Sequence, residues 1–258
     1  MAWRTLVGQK ITGVGTHLKF YLEVGGSYYD VTPVRATTTN ATTFAATNGS
    51  TTLTVTDNSH GALVGDFVTF SSAASLGGVI TAAILNAEHQ IVSITSANVY
   101  TITSSVAANS SDSGNGGAAT DAAYQIHVGA SIELPVVGWG AGTWGDGTWG
   151  NGGVSATSLR LWNQSNFGED LVFGYRGGPV YYRDAGDALT VRAALLSSLT
   201  DASDVPTVQN VVVVSDINRF VFCFGANTLG TTVQDPLLVR WSDQENAVNW
   251  TPSATNQA

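Results

Sequence analysis

An all-β fold of short meandering strands is predicted by three observations. Apolar runs alternate with polar turns, Gly-rich turn chemistry separates them, and one meander pattern recurs along the chain. The clearest copy runs from Val205 to Trp250. Val211 to Val214 and Phe220 to Phe224 are β-branched or aromatic runs, and the polar Ser215 to Arg219 turn between them is a hairpin signal. A polar loop from Gly225 to Asp235 leads to a third run, Leu237 to Trp241, and an acidic turn then ends on Trp250. Such a three-strand unit cannot bury both faces alone, so it is expected to stack on copies of itself.

Two further copies are legible. Ser158 to Asp187 reads as strands Leu159 to Trp162, Asp170 to Tyr175 and Val180 to Arg183, followed by an acidic Gly turn. Ile11 to Val34 reads as a Gly turn, a strand Leu18 to Val24, a Gly-Gly turn and Tyr28-Tyr29-Asp30. The copies share an ending in which an aromatic precedes Asp: YYDVTP, YYRDAGD and RWSDQ. Repeated meanders of this kind point to a partial or complete β-propeller-like body, with a plain β-sandwich as the alternative.

Taken in order, residues 1–35 form the first meander. From Ala36 the composition turns to Thr, Ser, Ala and Asn, and residues 36–129 read as an inserted small β-barrel or sandwich of five to seven strands. Thr51 to Thr56 and Asp66 to Phe70 alternate polar with apolar; Gln90 to Ile94 and Val99 to Thr103 flank the turn Thr95 to Asn98. Gly61 to Asp66 is a turn presenting Asp66, Ile80 to Asn86 is a helical turn, and Ser110 to Thr120 is a flexible tip. Residues 130–258 return to the body through Ile132 to Val137. The Gly-rich tract that follows spaces Trp139, Trp144 and Trp149 five residues apart, suited to Trp pegs on tight turns at an interface or to stacking on sugar rings. Val191 to Leu199 has helical spacing and reads as a short helix or a strand-like connector.

Composition restricts function. The 258 residues carry 10 Lys and Arg against 19 Asp and Glu, a net charge of −9, so strong phosphate-driven nucleic-acid binding is not expected. The single cysteine, Cys223, lies in an apolar strand and is expected to be buried and inert, and one cysteine allows no internal disulfide. The start MAWRTLVGQK lacks a signal-peptide core, and no apolar run reaches bilayer length. His17, His60, His89 and His127 form no zinc-ligand spacing, and no GxSxG is present, so no metal, cofactor or catalytic residue is expected. Glu169-Asp170 could serve as a glycosidase carboxylate pair, but turn chemistry explains these residues better.

Four stretches carry a resemblance: Gly15 to Arg35, the Trp-Gly tract Gly138 to Gly150, Leu159 to Asp184 and Val211 to Ala258. They resemble tailed-bacteriophage virion proteins, in particular the β-propeller-bearing tail nozzle or hub proteins of short-tailed phages. The segment Val64 to Tyr100 resembles a β-module inserted in many phage structural proteins. The resemblance implies a non-enzymatic virion tail component in a ring of identical subunits, six-fold in such proteins, with DNA passing through unbound. Adaptor or fibre proteins would be its neighbours. The alternative is a receptor- or host-glycan-binding virion module; a glycan-cleaving enzyme ranks last. Three sheet units are fewer than the roughly four to eight blades of a closed propeller. The chain is therefore expected to be a fragment or to take further blades from a second chain.

Overall fold

A computed structural model describes residues 2–4, 8–131, 159–254 and 256–258. The regular structure of the described residues is almost entirely strand, with one four-residue helix, Ala82–Leu85, and one short 3-10 turn, Leu196–Ser198. All strand pairs are antiparallel, as the all-β reading requires. The chain divides into two compact units: residues 1–32 with 129–258, and residues 33–128.

The first unit holds three meander sheets. The first has strands Ala2–Arg4, Lys10–Gly15, Phe20–Val24 and Ser27–Asp30 in chain order. The second has Trp162–Phe167, Asp170–Tyr175, Val180–Arg183 and Ala194–Leu195. The third has Val211–Val214, Val221–Phe224 and Val239–Trp241. Turn chemistry sets the hairpins. Val24 pairs with Ser27 across Gly25 and Gly26, both at positive φ (60° and 88°), which is the geometry a two-residue hairpin needs.

The shared Asp has a common job. Asp30 ends the last strand of the first meander, Asp184 follows Val180–Arg183 and Asp243 lies just past Val239–Trp241; each accepts a backbone N–H just beyond it, from Thr32, Gly186 and Gln244 respectively. A short carboxylate at that position holds the chain in the turn that leaves the sheet.

Two sequence expectations for this unit are corrected. The second meander begins at Trp162–Phe167, not at Leu159 to Trp162, although WNQSNF is mostly polar. Residues Lys10–Gly15, read as a Gly turn, form a strand. Both segments pair with the strand that follows them, and contacts between sheets, described below, hold their polar and glycine residues in place. Val191 to Leu199 becomes a two-residue strand and the 3-10 turn; Val191 is exposed, and the buried residues are Ala193 and Leu196, so the helical spacing of Val191, Leu195 and Leu199 marks no buried face.

The second unit is one open eight-stranded sheet. Its order is Asp112–Asn115, Thr43–Ala46, Thr52–Thr56, Val99–Thr103, Glu88–Ser96, Phe67–Ser71, Asp121–Gln125, Val34–Thr38. The sheet does not close into a barrel, and it has more strands than the five to seven expected. One extra strand, Asp112–Asn115, lies in the tract read as a flexible tip. It pairs with Thr43–Ala46, and Gly116 beside it lies so close to the Phe44 ring that a Cβ there would collide. Side chains from most of the strands, including Phe44, Leu53, Phe70, Ile91, Tyr100 and Tyr124, share one core. The unit's first and last strands pair with each other, and the Ile126 N–H donates to the Pro33 carbonyl at 3.0 Å.

Candidate functional site

The three meanders stack face to face, and the polar strand Trp162–Phe167 is the seam. Its side chains alternate between the two neighbouring sheets, as the period of a strand dictates. Trp162 and Gln164 reach the first sheet. The indole N–H of Trp162 donates to the Thr16 carbonyl at 2.7 Å, and Gln164 Nε2 donates to the Gly13 carbonyl at 3.1 Å. Gly13 and Gly15 are required there, because a Cβ on either would run into the Gln164 amide or the Trp162 indole. Phe20 of the first sheet stacks on Phe173 of the second, with ring centroids 4.2 Å apart, and Trp162 tilts against both.

Asn163 and Ser165 point the other way. Asn163 Oδ1 accepts the Val212 N–H at 2.8 Å, and Ser165 Oγ accepts the Val214 N–H at 3.0 Å. Val211–Val214 is the edge strand of the third sheet, so these side chains satisfy edge amides that would otherwise invite another chain. The polar composition that hid this strand from pattern reading is what caps its neighbour. Beneath that edge lies a second core, built from Val172, Val180, Val212, Val214, Cys223 and Trp250 among others.

Cys223 is fully buried, and burial pushes its thiol well above the ordinary value. Native protein should therefore be labelled by a thiol reagent only as fast as it unfolds; prompt labelling of the folded chain would contradict this placement.

The second unit holds two buried polar clusters. Asp57 Oδ2 accepts the hydroxyls of Thr38 (2.6 Å), Thr42 (3.3 Å) and Tyr124 (2.6 Å), and the Tyr124 and Tyr100 hydroxyls lie 2.9 Å apart. The His60 ring packs on both tyrosines, and its Nδ1 accepts the Ala62 N–H. Asp66 accepts the Leu63 and Val128 N–H groups at 2.8 and 3.0 Å and meets His127 Nδ1 at 2.7 Å. The expected turn at Gly61 to Asp66 is thus closed by the Asp66 carboxylate itself.

Burial alone would raise the Asp66 pKa, but the bonds from His127, Leu63 and Val128, together with the charge of His127, outweigh it and hold the carboxyl below its ordinary value. A depressed carboxyl contributes stability that is complete above its unfolded value, near 3.8, and is lost as pH falls through the lower folded value. Asp66→Asn should therefore flatten the acid limb of the melting midpoint against pH; an unchanged acid limb would count against this assignment.

Among the described residues, no group of three or more His, Cys, Asp or Glu could hold a metal ion. Asp170 accepts the Tyr182 hydroxyl and the Ala185 N–H, which ties a turn to its own sheet. His89 sits against the carbonyls of Ile84 and Leu85 at the end of the single helix. Trp139, Trp144, Trp149 and the return segment Ile132 to Val137 lie outside the described residues. No described helix is long and apolar enough to cross a membrane.

No protein-family model matches the chain, and no curated protein matches it. Among solved structures, the chain is similar to a phage phi92 endosialidase at a TM-score of 0.33 and 14% identity. That similarity covers 95% of this chain and spans 37% of the length of that protein.

Proposed function

We propose that this chain is a non-enzymatic structural component of a bacteriophage tail, nozzle- or hub-like, forming part of a ring through which DNA passes. The observation that carries this reading is the stack of three meander sheets, joined in chain order through the strand Trp162–Phe167. Such a stack is what successive propeller blades look like before closure. The resemblance of the same four stretches to phage tail proteins supplies the biological setting. These polar side chains serve the fold: the buried Asp57 and Asp66 and the half-buried Asp170 each hold backbone or hydroxyl groups of their own unit.

A net charge of −9 suits a lumen that does not grip DNA. The full chain should show no retention of duplex DNA at physiological salt. Antibody against the chain, used to label purified phage particles in the electron microscope, should decorate the tail in a ring of equivalent copies beside adaptor or fibre proteins. Absence from the virion, or single copies, would refute the proposal. Labelling at a tail tip together with host-glycan binding, lost on replacing Trp139, Trp144 and Trp149, would favour a receptor-binding module instead.

Residues 33–128 are proposed to be an insertion in the meander body. Pairing of the unit's first and last strands brings its two ends together, as an insertion point requires. Replacing residues 33–128 by a short Gly/Ser linker should leave a folded body with an intact near-ultraviolet signal. A body that fails to fold without them would show that the two units form one folding unit.

A further inference from the structure

The third sheet is apolar on both faces; one is covered by the second sheet, and the other is half-exposed and meets the residues near Gln257, whose carbonyl accepts the Trp241 indole N–H at 2.6 Å. Val212, Val214, Val221 and Cys223 face the core shared with the second sheet. Cross-strand register places Val211, Phe224 and Val239 in one row on the opposite face, and Val213, Phe222 and Trp241 in the next. Val213 is 43% and Trp241 42% exposed, and no charged side chain interrupts these rows. Continuous apolar runs such as VVVV and VFCF characterise strands buried on both sides. The central strand Asp170–Tyr175 of the second sheet shows what that looks like when satisfied. Its Phe173 packs toward the first sheet and its Val172 toward the third. An open face of this size and character on water marks a contact surface.

The first sheet, at the opposite end of the stack, presents a mixed face. Val14, Tyr21 and Asp30 share one row and Thr12, Glu23 and Tyr28 the next, on the face turned away from Phe20 and Leu22, and Asp30 is paired with Lys19 and Arg192. Tyr28 is 65% exposed, and its ring meets Tyr21 edge-on at 6.5 Å. Tyrosine is enriched where one protein surface meets another.

We infer that the outer face of the third sheet receives the first sheet of a second copy of this chain, head to tail. The inference deepens the proposed ring and rests on it. The order of stacking selects this occupant: within the chain the first sheet packs on the second and the second on the third, so another first sheet continues the progression. Pairing two third sheets would reverse it and end the assembly at two copies. A head-to-tail contact leaves one free face at each end and closes only as a ring.

Sedimentation of the full chain over a roughly hundredfold range of concentration should show mass growing with concentration. Val213→Lys and Tyr28→Lys alter opposite ends of the stack at exposed positions, so circular dichroism and melting should match the wild type. Each variant alone should stay monomeric. An equimolar mixture should form a dimer and nothing larger, because each copy keeps one intact face. A wild type that remains monomeric throughout overturns the inference, and virion labelling still tests the tail assignment separately. Assembly that survives Tyr28→Lys but not Val213→Lys overturns it as well, in favour of third sheet against third sheet.

Discussion

Replacing Trp250 by alanine should destabilise the stacked meanders by about 3–5 kcal/mol, the range for truncating a large buried aromatic. Trp250 is 1% exposed and heads the largest fully buried side chains among the described residues. It lies in the core between the second and third sheets with Val172, Val212 and Cys223, and its indole N–H donates to the Ala247 carbonyl at 2.8 Å. The backbone holds it in place: its N–H donates to the Ser203 carbonyl, and Ser203 bridges Asn249. Alanine would leave a cavity that rigid sheets on either side cannot collapse into. Trp250→Phe should cost less, because most of the apolar area stays while the indole bond is lost. Denaturant unfolding followed by circular dichroism measures both; a loss below about 1 kcal/mol for alanine would show that this core is not what joins the sheets.

In the second unit, Asp57→Ala should cost at least about 3 kcal/mol, since each buried donor left without an acceptor costs about 1–3 kcal/mol. Three hydroxyls converge on Asp57 Oδ2, and the Tyr124 hydroxyl is in turn bonded to that of Tyr100. Burial raises both phenol pKa values, so both tyrosines stay protonated and each keeps a hydroxyl proton that needs an acceptor. Asp57→Asn should fall between wild type and alanine, because the amide oxygen still accepts. The exposed Asp216→Ala is the control and should stay within about 0.5 kcal/mol. Amide exchange of Val99–Thr103 reports the loss locally; unchanged protection there in Asp57→Ala would remove the network from the account of this core.

The period-2 runs were legible from sequence because strand burial is a local pattern. Val211–Val214, Val221–Phe224, Asp170–Tyr175 and Val99–Thr103 lie where alternation or apolar density places them. The aromatic-Asp ending was equally legible, since an Asx-type turn is made within two residues of itself. Two kinds of element escaped. Asp112–Asn115 looks like low complexity, and becomes a strand because Thr43–Ala46 offers it an edge.

By itself, then, the sequence determined the all-β class, the three meanders and the turns that end them, because each is settled by residues a few positions apart. Tertiary structure alone decided how the meanders join. Trp162–Phe167 has no apolar alternation, and Lys10–Gly15 has the glycines of a turn; each pairs with the strand that follows it, and side chains about 150 residues away then lock the two sheets together. Gln164 and Trp162 need a neighbour without Cβ atoms, Gly13 and Gly15 need side chains to fill the space they leave, and Asn163 and Ser165 need an edge to cap. Those needs are met only across the sheet-to-sheet contact, where no periodicity along the chain records them.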